Sequence, residues 1–153
     1  MIYIAGSLFT EAEISQRKKE GKLIRESLPE ANVFNPIESE VNDKTRLPKS
    51  EDIFKVDYGI IKDSDYLLFN LDNESDAGVF MELGQALEAG KRNIYPVLSD
   101  IRMAQAGEYS DKYVPFGFNQ YVIGALDYYK IKLFTNSEDA IKALVEDYKK
   151  ENK

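Results

Sequence analysis

A chain of 153 residues with 43% apolar content can bury one sizeable core, and residues 1–153 are expected to form a single domain. It has no cysteine and no histidine, which removes disulfides, thiolate and common zinc sites, cysteine nucleophiles and Ser-His-Asp catalysis, so acid–base work falls to Asp, Glu, Tyr or Lys. The net charge of −7 argues against a nucleic-acid partner, and the lack of a signal segment or a run of eighteen apolar residues argues against export or a membrane, which fits a cytoplasmic location.

Ile2-Tyr3-Ile4-Ala5-Gly6 predicts a short first strand, central in an α/β sheet, and Gly6-Ser7 opens the first strand-to-helix loop. Thr10 and Glu13 have capping-box spacing, so a helix follows to about Leu28, weakened at Gly21 and stopped by Pro29. Val33 to Pro36 predicts a brief second strand. The polar stretch Ile37 to Lys49 is long for a compact domain and is expected to be a lid or binding loop. Ser50 is the expected cap of a second helix, Glu51 to about Lys62, with Ile53, Phe54, Val56, Ile60 and Ile61 as its apolar stripe. Asp57 falls inside or at the margin of that stripe, and an unpaired carboxylate buried there is costly.

Tyr66 to Leu71 is a nearly continuous apolar run, the pattern of a strand covered on both faces. Asp72 to Asp76 is turn chemistry, and Asp76 is placed to cap the next helix. That helix carries Gly78 and, one turn on, Glu82, which shares a face with Gln85, Ala86 and Ala89, and it ends at Gly90-Lys91. A carboxylate near a helix start, at the C-terminal edge of a central strand, occupies the position where open α/β sheets bind ligands. Ile94 to Leu98 predicts a further strand with an irregularity at Pro96. Ser99 to Gly117 is expected to be a second long loop, and Phe118 to Lys130 a helix carrying Asn119. Lys132-Leu133-Phe134 predicts a last short strand. Asn136 or Ser137 then caps a final amphipathic helix through Tyr148.

This alternation predicts an α/β fold: a flavodoxin-like or Rossmann-like three-layer sandwich with a five-stranded parallel sheet in the order 2-1-3-4-5. No loop carries a Gly-Lys-Ser/Thr phosphate cradle and no GxGxxG follows the first strand, so neither a cofactor nor a metal is expected. The loops offer carboxylates instead. A pair of them at a cleft can perform glycosyl transfer, one attacking an oxocarbenium-like carbon and the other handling the leaving group's proton.

The blocks Ile2-Tyr3-Ile4-Ala5-Gly6-x-x-Phe9, Asp57 with Asp65, and Asp76-Ala77-Gly78-x-x-x-Glu82-Leu83-Gly84 resemble the nucleoside 2-deoxyribosyltransferase family. Asp100-Ile101-Arg102 and Asn119 before Val122-Ile123 extend the match. The resemblance implies exchange of the base of a 2′-deoxyribonucleoside for another free purine or pyrimidine, as in nucleoside salvage. It implies Glu82 as the nucleophile that forms a covalent deoxyribosyl-enzyme. Tyr3 would orient that glutamate, and Asp57 would contact the leaving base and move its proton. Asp76 would bind sugar hydroxyls and Phe9 would line the base pocket, with Gly6 and Gly78 leaving room for substrate. Asn119 would be lent by a neighbouring subunit, so a homo-oligomer is implied. Glu38 and Glu40 are candidates for a polar group from the second-strand loop.

Blander roles stand beside these. Tyr3 and Phe9 can serve the core, Asp76 and Asn119 can be plain helix caps, and Arg102 can be a loop ion pair. A deoxynucleoside or deoxynucleoside 5′-monophosphate hydrolase is the alternative reaction, and a non-catalytic nucleotide-binding module the alternative class.

Overall fold

The computed structural model describes residues 1–40, 45, 48–104, 108–109, 112–113 and 115–152. Four parallel strands form the main sheet in the order β2-β1-β3-β4, from β1 (Ile2–Ala5), β2 (Val33–Phe34), β3 (Tyr66–Asn70) and β4 (Ile94–Val97). β1 pairs with β3 over its whole length, from Ile2 opposite Tyr66 to Ala5 opposite Phe69. The chain leaves β1 toward β2 through α1 (Glu11–Ser27), then crosses to the other side of β1 through α2 (Ser50–Asp63). The order therefore reverses between β1 and β3, and a crevice opens at their C-terminal ends.

Strand alternation sorts the core into two layers. Ile2, Ile4 and Leu68 point to one face and pack with Ile24 of α1 and Ala140, Ile141 and Leu144 of α6 (Ser137–Glu151). Tyr3, Ala5, Leu67 and Phe69 point to the other. There they meet Ile61 of α2, Val79, Leu83 and Leu87 of α3 (Ala77–Glu88), and Ile123 and Leu126 of α5 (Gln120–Tyr128). β1 is fully buried because both of its faces are covered. Full burial of one such aliphatic side chain is worth about 1.5–3 kcal/mol. The same alternation aims Tyr3 at α3, so the register that builds the core also aims the phenol at Glu82.

The expected fifth strand is not formed. Phe134 makes one isolated parallel bridge to Val97, flanked by Leu98 N donating to Phe134 O and Phe134 N donating to Pro96 O, both at 2.9 Å. The segment leaves no room for a ladder: Lys130 is left-handed at φ 60°, and Asn136 already caps α6. The loop from Ser99 to Gly117 also differs from expectation. It contains a short helix, α4 (Ile101–Ala104), and an antiparallel pair, β5 (Glu108–Tyr109) with β6 (Lys112–Tyr113). Of the expected lid at 37–49, residues 41–44 and 46–47 lie outside the described residues, and Pro36–Glu38 form a 3-10 turn that shortens β2.

Several helix starts follow the sequence chemistry. Thr10 and Glu13 form the capping box, and Asp76, Asn119 and Asn136 each cap their helix with a side-chain oxygen. Ser50 does not cap α2; it is the first helical residue, and Lys49 stands at the cap without a side-chain bond. Asn119 delays α5 to Gln120, two residues later than expected. Gly21 does not interrupt α1. A Cβ there would lie 3.0 Å from Asn35 Nδ2 and 3.1 Å from Arg25 Nη1, so the glycine lets the segment after β2 pack close.

Candidate active site

Three loops leave the C-terminal ends of β1, β3 and β4, and side-chain bonds tie them together. Ser7 Oγ donates to Asp76 Oδ2 at 2.6 Å, Asn73 Nδ2 donates to Glu13 Oε1 at 2.9 Å, and Ser99 Oγ donates to Asp72 Oδ2 at 2.6 Å. A pocket of about 180 Å³ opens at the α2–α3 side of these loops. It is lined by Tyr3, Gly6, Phe9, Asp57, Asp76, Gly78 and Glu82, together with Leu8, Pro36, Ile53 and Val79.

Glu82 stands on the second turn of α3, one turn past Gly78, where no Cβ crowds the space. The Tyr3 hydroxyl donates to Glu82 Oε2 at 3.0 Å. The Tyr3 ring is fully buried and stacked on Phe34, with centroids 5.8 Å apart and an interplanar angle of 11°. That stacking leaves the phenol one direction to point. Burial pushes the Tyr3 hydroxyl far above its usual range, and the charges of Glu82 and Asp57 push it further, so it stays a donor at every working pH.

Burial is also the main influence on Glu82, raising its carboxyl to about 7. The Tyr3 hydrogen bond pulls it down, while the charges of Asp57 and Asp76 push it up. Asp57 is raised to about 6 by burial. Its Oδ1 is enclosed and has no hydrogen-bond partner among the described residues. An unsatisfied buried oxygen costs about 1–3 kcal/mol, which suits a group that waits for a ligand atom or holds a proton of its own. Asp76 is held at both oxygens, Oδ1 by Gly78 N at 3.2 Å and Oδ2 by Ser7. Chemically, the pocket combines one carboxylate oriented by a phenol, one desolvated carboxyl and one fixed acceptor.

The structure thus places Tyr3, Gly6, Phe9, Asp57, Asp76, Gly78 and Glu82 around one cavity. Phe9 is exposed at its rim rather than packed in the core. Asn119 stands apart. It is exposed, its Oδ1 accepts from Tyr121 N and Val122 N at the start of α5, and it does not line this pocket. Arg102 pairs with Asp100, whose carboxyl the guanidinium holds down at about 2. Glu38 pairs with Arg25 at 2.6 Å. Neither Glu38 nor Glu40 reaches the pocket lining. Ile53 and Pro36 were not expected there; Ile53 was legible as a neighbour of Asp57 one helical turn away, whereas Pro36 arrives only through the pairing of β2 with β1.

Among the described residues no group of three His, Cys, Asp or Glu side chains could hold a metal ion, and no helix is long and apolar enough to cross a membrane.

A sequence profile described as nucleoside 2-deoxyribosyltransferase matches residues 2–150. An uncharacterized protein of Ureaplasma parvum serovar 3 is 36% identical over 106 residues, covering 63% of this chain and 65% of that protein, so the chain spans about two thirds of that relative. Two solved structures share the fold. A conserved protein from Enterococcus faecalis V583 superposes with a TM-score of 0.76 at 24% identity, over 95% of this chain and 96% of that one. A 2-deoxyribosyltransferase from the psychrotolerant bacterium Bacillus psychrosaccharolyticus superposes with a TM-score of 0.65 at 23% identity, over 92% of this chain and 89% of that one.

Proposed function

Since the chain belongs to the nucleoside 2-deoxyribosyltransferase family, we propose that it moves 2-deoxyribose from one nucleobase to another through a covalent deoxyribosyl-Glu82. The observation that carries this reading is the Tyr3–Glu82 hydrogen bond beside the unpartnered Asp57 oxygen. Tyr3 holds Oε2, so Oε1 is the oxygen free to attack C1′. As the new C–O bond forms, the C1′–N bond breaks and its electron pair leaves with the base, which takes its proton from Asp57. An incoming base then attacks C1′ from the vacated side, expels the Glu82 carboxylate and returns a proton to Asp57. Deoxyribose lacks the 2′-hydroxyl that would destabilise the cation-like transition state, so two carboxyls suffice. The rigid second turn of α3 supplies alignment, which is the larger part of what positioned nucleophiles gain.

The pocket lining contains three carboxylates and no Lys or Arg among the described residues, which favours a neutral nucleoside over a 5′-monophosphate. At about 180 Å³ it holds a sugar ring rather than a whole nucleoside, since complete small-ligand pockets run to roughly 300–1,000 Å³. A neighbouring subunit that lends Asn119 would complete it, so the working form is a homo-oligomer in nucleoside salvage.

Incubation with deoxyinosine, with and without free adenine, tests the reading. Deoxyadenosine formed only when adenine is present establishes transfer. Deoxyribose released at the same rate in both cases makes the protein a hydrolase. No turnover with retained nucleoside binding makes it a binding module.

A further inference from the structure

Arg17 takes no part in the chemistry above, yet it is one of the most deeply buried side chains in the protein, at 2% exposure. It sits on α1 and does not line the pocket. Its Nη2 donates to Glu20 Oε1 at 2.8 Å, and its Nε lies 2.7 Å from Glu20 Oε2. Glu20 is fully buried, and its Oε1 also accepts from Gln16 Nε2 at 3.0 Å and Ser137 Oγ at 2.7 Å, which anchors the pair to the start of α6. Buried ion pairs seldom stabilise more than packed hydrocarbon would, so their retention calls for another use.

The third nitrogen of the guanidinium indicates that use. Nη1 lies against Gly6, where a Cβ would fall 1.7 Å from it and 3.0 Å from Asn70 Cβ. Gly6 has φ +153°, and the turn is wedged between Arg17 and the end of β3. The next residue, Ser7, is buried at 4% exposure and donates its hydroxyl to Asp76 Oδ2 at 2.6 Å. A continuous line of contacts therefore runs from Glu20 through Arg17, Gly6 and Ser7 to Asp76. We propose that Arg17 is a positioning residue, setting the Gly6–Ser7 turn so that Ser7 fixes Asp76 in the orientation that the sugar hydroxyl requires. This rests on the reading of Asp76 as a sugar contact. Only arginine suits the position. Its planar fork hydrogen-bonds one oxygen of Glu20 and lies in ion-pair contact with the other while the remaining nitrogen faces Gly6; an ammonium is a single point and cannot do both.

The test is a cycle of Ser7→Ala, Arg17→Lys and the double variant, assayed for base exchange with adenine. Three donors are compared: deoxyinosine, 2′,3′-dideoxyinosine and 2′,5′-dideoxyinosine. In the wild type, the donor that lacks the hydroxyl held by Asp76 has the lower kcat/KM. Ser7→Ala and Arg17→Lys should each shrink that discrimination by about fivefold or more, as expected for a charge-assisted hydrogen bond put out of line. The double variant should be within about twofold of Ser7→Ala alone, because both changes act through one contact. Arg17→Gln is carried through the same cycle in case Arg17→Lys does not fold. Loss of rate by one common factor for all donors, or effects that multiply in the double variant, would overturn the proposal. So would Ser7→Ala with unchanged discrimination, since Arg17 would then have nothing to act through. A wild type inert toward deoxyinosine would remove the underlying reading of the site and Arg17's role together, whereas an active wild type with independent effects removes only the role of Arg17.

Discussion

The Tyr3 hydroxyl and the Glu82 carboxylate are separated by 79 residues and meet at 3.0 Å, one from the middle of β1 and the other from the second turn of α3. The bond fixes Oε2, leaving the second oxygen for chemistry, and it favours the ionised carboxylate against the burial that opposes it. Tyr3→Phe keeps the stacked ring and removes only the donor. A hydrogen bond to a charged group is worth about 1.5–3 kcal/mol, so exchange should fall roughly 10- to 100-fold. The Glu82 pKa should rise and carry the alkaline limb of the kcat/KM profile upward with it, because Glu82 holds the higher of the two values. A Tyr3→Phe variant with the wild-type limb would show that the bond does not govern the nucleophile.

The two raised carboxyls define a narrow working range. The proposed exchange needs Glu82 ionised and Asp57 protonated; because Glu82 is raised further than Asp57, most singly protonated pairs hold the proton on Glu82 and the active arrangement is the minor one. With Asp57 at about 6 and Glu82 at about 7, kcat/KM should rise through the lower value and fall through the higher, peaking between them. Asp57→Asn leaves one titrating group. Its profile should lose the alkaline fall and keep a single rise to a plateau, set by Glu82 alone. The rate should drop by roughly 10²- to 10⁴-fold, the usual worth of a positioned general acid. An alkaline limb that survives in Asp57→Asn would assign it to another group.

Much of the scaffold was legible because it is local. The apolar run of β3, the Thr10–Glu13 box and the caps at Asp76 and Asn136 each carry their signal within a few residues. The fifth strand was misread for the converse reason: Lys132-Leu133-Phe134 has strand composition, but pairing depends on the space left between the end of α5 and the cap of α6. Ser7 bonding Asp76 and Arg17 lying under Gly6 were invisible for a similar cause. A lone arginine three residues before a glutamate on a helix looks like a surface pair, and only the sheet register brings the first loop over it. Glu82 and Asp57 were singled out through residue type and motif, but their mutual influence is a tertiary property.

The site should also cost stability as pH rises. Both carboxyls have folded pKa values above their ordinary ones of 4.5 and 3.8, so between about 4 and 7 the folded state holds more protons than the unfolded state. Stability then falls across that window and levels off above it. Asp57→Asn removes one of the two groups responsible. Its melting temperature should exceed that of the wild type at pH 8, and the gap should close toward pH 4, in scans run at both values. A variant less stable than the wild type at pH 8 would mean that the Asp57 charge is satisfied in the folded state.

Glu82→Gln removes the nucleophile while preserving shape and the chance of a bond with Tyr3. Exchange should drop at least about a thousandfold, as when other covalent nucleophiles are removed. Deoxyinosine should still bind. A 2′-fluorinated arabinonucleoside, whose glycosyl-enzyme breaks down slowly, should add one sugar mass to the wild-type peptide containing Glu82 and nothing to the variant. A label on a different residue would displace Glu82 from the centre of the mechanism.

Asn119 offers the sharpest test of assembly, because it is exposed and lies outside the pocket lining of its own chain. Its Oδ1 is committed to capping α5 through Tyr121 N at 3.0 Å and Val122 N at 3.4 Å. Asn119→Ala loses that cap, which costs about 1 kcal/mol, and so confuses stability with function. Asn119→Asp keeps an accepting cap and removes the amide donor, so it should melt near the wild type yet lose exchange if the amide reaches a sugar. Mixing then decides whose sugar it is. Subunits carrying Glu82→Ala and subunits carrying Asn119→Asp, each inactive alone, should regain part of the activity when unfolded and reassembled together, because a mixed assembly builds some sites from an intact Glu82 and a neighbour's intact Asn119. If the mixture stays as inactive as its parts while the wild type survives the same treatment, Asn119 does not serve a site across an interface.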